Sequence, residues 1–303
     1  MSIGEQTEAI PDKQVEETPV FIEYYTDPLC SWSWAFEAQW RRLRYEYAGY
    51  ISWHYRMGGL IADWRSYNDP FNDINSPTQM GPQWFQVREM SGMPLDARIW
   101  HVDPPASSYP ACIAMKAAER QGQGVAEDYL RRLREAVMME RRNIARQDIL
   151  LAIAQETALA SSKGNMLDVE RFRDDLSVPE TIEAFRQDLR DSAYYGIGRF
   201  PTLILHRSNE RSIMLTGYRP YDNLRAALEH LVPNLSRQPE MPQEELAIAY
   251  VMHWSRITAR ELAEVLSCTA AQASVLLDSL VAQGKLMQAD DSQSETPIYV
   301  PSS

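Results

Sequence analysis

The sequence of 303 residues is poor in cysteine and histidine, and it has no long apolar run. Three cysteines, Cys30, Cys112 and Cys268, are too few for a disulfide scaffold, and so sparse a set suits a reducing compartment. His54, His101, His206, His230 and His253 are dispersed without the spacing of a zinc site, so no metal is expected. The absence of any stretch of about 18 apolar residues excludes a spanning helix. Met1 to Thr18 has neither the basic start nor the apolar middle of a secretory signal, and a cytoplasmic location is expected. Positive charge is also in deficit. The 30 Lys and Arg face 42 Asp and Glu, and a net charge of −12 disfavours non-specific nucleic-acid binding.

What is present begins with composition: 45% hydrophobic residues are enough for a sizeable core, in one large domain or two. Residues 1–18 show no periodicity, and Gly, Pro, Gln, Glu and Lys together dominate, the composition of a disordered tail. Val20-Phe-Ile-Glu-Tyr-Tyr-Thr26 then reads as a buried strand, which Asp27-Pro28 breaks. A helical pattern starts near Ser31 and continues through Trp34 to Tyr47, with Glu37, Arg41, Arg42 and Arg44 on its charged face.

Cys30 therefore stands at the mouth of a helix. The unpaired N–H groups and positive dipole of a first helical turn favour a thiolate. Such a site is expected to lower a thiol from a pKa of about 8.5 into the range of about 3.5–7.5. Cys30-Ser31-Trp32-Ser33 has the outline of a Cys-X-X-Cys redox motif with Ser in the second place. Ser33 can donate a hydrogen bond to the sulfur, but it cannot form a disulfide. Trp32 is a candidate for lining a substrate groove beside the thiol, whereas Trp34 is expected in the core.

Tyr50 to Arg56 alternates as a second strand and completes a βαβ opening. Helical periodicity then recurs over 81–90, 107–122, 124–142, 147–157 and 169–193, a helical insertion of about 59–195. Cys112 lies in it among apolar neighbours and is expected to be buried and inert, unless the fold brings it near Cys30 as a resolving partner. Pro201 to Leu205 and Ser212 to Thr216 form a hairpin, and a helix follows over Tyr221 to His230.

Proline and polar residues over 233–242 read as a linker, and 243–303 as a second module. Its helices over Glu244 to Trp254, Thr258 to Leu266 and Thr269 to Gln283, with a closing strand at Pro297 to Val300, have the layout of a winged helix-turn-helix. Thr258 with Glu261 makes a capping box. DNA reading is not expected. Met241 to Ser303 carries 3 basic against 8 acidic residues, and Ala270 to Gln283 has no Lys or Arg to reach bases or phosphates. A protein-contact or packing module fits better.

Four segments carry a family resemblance: Asp27-Pro-Leu-Cys-Ser-Trp-Ser-Trp34, Trp100-His-Val-Asp-Pro-Pro-Ala-Ser-Ser-Tyr-Pro-Ala111, Lys116-Ala-Ala-Glu-Arg-Gln-Gly122 and Gly196-Ile-Gly-Arg-Phe-Pro-Thr-Leu203. Over about residues 20–232 the chain resembles the DsbA-like branch of the thioredoxin superfamily. The resemblance implies an α/β thioredoxin-like fold with the helical insertion. It makes Cys30 the nucleophile and Ser33 its hydrogen-bond partner. It also makes Pro201 a cis-proline facing the thiol, although an X-Pro bond is intrinsically cis in only about 5–6% of cases. Phe200 and Thr202 would then flank an extended substrate segment, and His101 would border the active-site side.

Two functions follow from that resemblance. The first is a thiol–disulfide oxidoreductase with one active thiol, exchanging through a mixed disulfide with protein thiols or glutathione adducts. It needs no cofactor beyond glutathione as co-substrate. Kappa-class transferases are similar but typically carry Ser at the position of Cys30. The second is a non-catalytic bacterial adaptor. The chain is also similar to the family that delivers the redox regulator Spx to a Clp-type protease and pairs a DsbA-like domain with a small C-terminal module. Firmicute members of that family carry His and Cys in an N-terminal segment, whereas Met1 to Thr18 has neither.

Overall fold

A computed structural model describes residues 20–70, 72–160, 166–207, 211–235, 237, 241–289 and 294–302. The expected tail over 1–18 lies outside the described residues, as does part of the expected linker over 233–242. The elements run β1 (Val20–Thr26), α1 (Ser31–Ala35), α2 (Glu37–Glu46), β2 (Ile51–Met57), α3 (Met80–Ser91), α4 (Ile99–Val102), α5 (Tyr109–Glu119), α6 (Gln123–Met138), α7 (Gln147–Ala160), α8 (Val169–Asp175) and α9 (Pro179–Tyr194). They continue with β3 (Thr202–His206), β4 (Ile213–Thr216), α10 (Tyr221–Leu231), α11 (Gln243–Trp254), α12 (Ala259–Leu266), α13 (Ala270–Ala282), β5 (Leu286–Gln288) and β6 (Tyr299–Pro301).

The main sheet has the order β2-β1-β3-β4, with β1 and β2 parallel and the other pairings antiparallel. This is a thioredoxin-like sheet, and the long helical block α3–α9 is inserted between β2 and β3. Strand β1 is central, and its apolar and aromatic run is buried at every position but Phe21. That explains why it reads as a continuous run rather than as an alternating strand. Trp34, Trp40, Trp84 and Trp100 are all buried in the core beneath it.

Two expected helices are each two in the structure. The helical run after Cys30 breaks at Phe36, and the run over 169–193 breaks between Asp175 and Pro179. Proline fits the first turn of α9 but cannot continue α8, because it lacks the N–H that the ladder needs. Leu286–Gln288 forms a strand paired antiparallel with Tyr299–Pro301. Among the described residues no single helix is long and apolar enough to cross a membrane.

The last three helices and the β5–β6 pair share their own core of Tyr250, Val251, Leu262, Leu277 and Leu280. Tyr45 of α2 reaches into it, its ring 5.2 Å from that of Tyr250. The charged face of α2 is thus an interior surface: Glu37 and Arg41 are buried beneath the C-terminal module.

Candidate functional site

The strand register sets the site. Thr26 at the end of β1 pairs with Met57, and Tyr25 pairs with Thr202, so the Asp27–Cys30 turn and the loop before β3 lie at one end of the sheet. Asp27 shapes the turn. Its Oδ1 accepts from the Leu29 N–H at 2.8 Å and its carbonyl from the Cys30 N–H at 3.1 Å. Its Oδ2 accepts from the Leu60 N–H at 2.7 Å, Ser108 Oγ at 2.7 Å and the Cys112 thiol at 3.3 Å. One buried carboxyl therefore ties the turn to the segment after β2 and to α5. From the sequence, Asp27 is a strand breaker and the head of a family segment, not an anchor. The available signal is Asp27-Pro28-Leu29, an Asp two residues before a backbone N–H, which favours an Asx turn.

Cys30 is the N-cap of α1 and is 5% exposed. Its sulfur accepts from the Ser33 N–H at 3.4 Å and donates to the Phe200 carbonyl at 3.7 Å. Ser33 meets the sulfur through its backbone N–H, and its buried hydroxyl also acts on the thiol in the direction of the thiolate. The Phe200–Pro201 peptide is cis. The Phe200 ring lies against Gly58, where a Cβ would stand 1.9 Å from it.

Trp32 is half-buried, with its ring 5.7 Å from that of Tyr218. Thr202 is buried and donates to the Arg199 carbonyl at 2.8 Å. His101 lies exposed on α4 next to Gly81 of α3. The structure thus brings Cys30, Ser33 and Phe200 into contact, with Pro201 following Phe200 directly. It seats Trp32 against Tyr218 and places His101 on a separate helix.

The electrostatics depart from the expected acidic thiol. Burial pushes the Cys30 thiol above its ordinary value. The Asp27 carboxylate adds to this, while Ser33 and Arg134 oppose it. Helix α1 is only five residues long, so its dipole is too short to outweigh desolvation. Cys112, fully buried against Asp27, is pushed up well above its ordinary range by burial and then by that carboxylate. Burial likewise raises Asp27, against the bonds it accepts.

Arg134 of α6 underlies the site. It donates to Thr26 Oγ1 at 2.6 Å and to Glu37 Oε2 at 2.6 Å. Among the described residues no group of three or more His, Cys, Asp or Glu is placed to hold a metal. A cleft of ≈ 360 Å³ lined by Arg42, Arg260, Glu264 and Cys268 lies at the α2–α12–α13 junction and includes none of the groove residues.

Comparison with known proteins places this geometry. A family model described as thioredoxin matches residues 24–226. The chain is 30% identical over 283 residues to the ClpXP adapter protein SpxH of Halalkalibacterium halodurans, covering 92% of this chain and 89% of that protein. It is 27% identical to the ClpXP adapter protein SpxH of Shouchella clausii, covering 93% and 88% respectively. The structure of the cytosolic disulfide reductase DsbM from Pseudomonas aeruginosa superposes with a TM-score of 0.53 at 23% identity, over 69% of this chain and 97% of DsbM. The chain belongs to the thioredoxin family and, within it, to the family of the SpxH proteins.

Proposed function

We propose that the chain is a protein-binding adaptor that presents a client of the Spx type to a Clp-type protease in the cytoplasm. The observation that carries this reading is the burial of the Cys30 sulfur, 5% exposed and 3.7 Å from the Phe200 carbonyl, which raises its pKa rather than lowering it. A nucleophile for disulfide exchange works as a thiolate, and burial shifts this sulfur away from that form. The extent of the likeness supports the same reading. It runs through the C-terminal module in the SpxH relative, whereas the DsbM likeness covers about the length of the thioredoxin domain alone.

In this reading Phe200, the cis-Pro201 and Trp32 form a groove for an extended client segment, with Cys30 and Ser33 as its floor. The C-terminal module, winged-helix-like in layout, contacts protein rather than DNA. Its cations Arg256, Arg260 and Lys285 are engaged with Glu135, Glu264 and Glu244. No cofactor is required.

A second reading is favoured by one observation, the thiol placed against the carbonyl that precedes a cis-proline. There Cys30 would attack a disulfide or glutathione adduct, and an external thiol would resolve the mixed disulfide. Degradation of purified Spx by ClpXP, with and without the chain, separates the two. The adaptor accelerates degradation, and Cys30→Ser retains the acceleration. If Cys30→Ser abolishes it, or if the chain has no effect while reducing glutathione mixed disulfides, the adaptor reading fails.

A further inference from the structure

We propose that Glu261 of the C-terminal module is a positioning residue for the Cys30 site, acting through an unbroken buried line of charged side chains. The inference goes beyond the adaptor reading, because it concerns the thiol whether or not that thiol turns over.

The line can be followed atom by atom. Glu261 is fully buried and receives two bonds from Arg131 of α6, to Oε1 at 2.8 Å and Oε2 at 3.0 Å. Arg41 of α2 donates to the same Oε1 at 3.0 Å and through its Nε to Glu37 Oε1 at 3.2 Å. The other oxygen of Glu37 takes Arg134 at 2.6 Å, and Arg134 reaches Thr26 at the strand end beneath Cys30. A parallel link runs through packing. The Arg131 guanidinium lies 4.7 Å over the Trp34 ring, and the backbone N–H of Trp34 donates to the Cys30 carbonyl at 3.1 Å, while its indole N–H donates to the Pro94 carbonyl.

Every member of this line is 6% exposed or less, so its charges are weakly screened and each carboxylate is shared between guanidiniums. If the charge on Glu261 is lost, Arg41 turns more strongly to Glu37, while Arg131 keeps Glu135 of its own helix, whose Oε1 it already holds at 2.6 Å. Glu37 then neutralises Arg134 less completely, and the uncompensated positive charge beneath Cys30 favours a thiolate. The other groups facing the thiol are Asp27 in its own turn and Tyr67 after β2. Besides the two arginines, Glu261 faces Thr258 of its own cap and Tyr250 of α11.

The test uses the full chain, with alkylation followed at Cys30 by peptide mass spectrometry, so the other cysteines stay in place. Glu261→Gln removes the charge and keeps one oxygen as acceptor for Thr258, while the other position becomes an amide donor that no longer accepts from Arg41 and Arg131. At pH 7 the Cys30 rate is expected to rise about 3- to 10-fold, with the pH profile moved towards acid. An unchanged profile in a folded variant overturns the proposal. A reverse arm, in a Cys268→Ser background because Cys268 labels first and its N–H caps α12 on the Ala263 carbonyl, uses the fact that coupling between two sites is reciprocal. With Cys30 alkylated by iodoacetate, the anionic adduct draws Arg134 from Glu37. The amides of α12 should then exchange hydrogen at least about threefold faster than with the neutral iodoacetamide adduct. Equal exchange in the two adducts also overturns it.

Discussion

Glu261 caps its own helix and, with the same carboxylate, holds Arg131 across the junction at 2.8 and 3.0 Å. The capping box is a local device, yet here it anchors the C-terminal module to the thioredoxin domain. Removing one partner of a buried pair leaves the other charges uncompensated in a poorly solvated place. Glu261→Ala is expected to cost about 3–5 kcal/mol. Exposed Glu244 pairs with Lys285 at 3.4 Å, and its loss should cost less than about 1 kcal/mol. Urea unfolding of both variants measures the difference. Similar midpoints would mean that the junction does not depend on the Glu261 charge.

The three cysteines should label in a fixed order. Cys268 is half-buried, Cys30 is 5% exposed, and Cys112 is fully buried with its thiol on Asp27. In folded protein at pH 7.5, iodoacetamide should therefore modify Cys268 first and Cys30 more slowly. Cys112 should react only once denaturant opens the chain. Time-resolved intact-mass spectrometry reads this directly. If Cys112 reacted at the rate of Cys30 in the folded chain, the Asp27 pocket would be open to solvent.

Local pattern made much of this molecule legible. The strand Val20–Thr26, the proline break after it, the paired strands β3 and β4, and the capping box at Thr258 each follow from a few neighbouring residues. Long-range burial was not legible. Glu37 and Arg41 occupy helix positions that normally face water, and only the docking of α12 onto α2 makes them interior. The same limit applies at Cys30. Its place at a helix start suggested an acidic thiol, but the surrounding chain removes the solvent that a thiolate needs. Asp27 gathers its bonds from Leu60, Ser108 and Cys112, residues far along the chain, so its role as an anchor had no local signature beyond the turn.

Gly58 leaves room for Phe200, and the space is the reason for the residue. A Cβ there would meet the ring at 1.9 Å, so Gly58→Ala must push Phe200 away from the groove. Overpacking of this kind costs about 1–3 kcal/mol. Thermal unfolding should show a modest loss, and client binding should weaken well beyond what that loss explains. Wild-type client affinity in Gly58→Ala would remove Phe200 from the binding surface.

Stability should fall with acid in two separable steps. Burial holds His54 neutral, helped by the positive charges of Lys116 and Arg56, and lowers its pKa from 6.5 to about 4. The unfolded chain binds that proton first as pH drops, so the stability this group contributes is complete above about pH 6.5 and lost between there and pH 4. Glu135 acts lower on the scale. Burial opposes its ionisation, but Arg256, Arg131 and Arg132 outweigh burial and bring its pKa down from 4.5 to about 2. Its contribution is present above about pH 4.5 and is lost as pH falls towards 2. His54→Gln should therefore flatten the melting temperature between pH 6.5 and 4.5 and leave the steeper fall below it. If the variant loses stability in the upper window as the wild type does, the proton uptake lies elsewhere than His54.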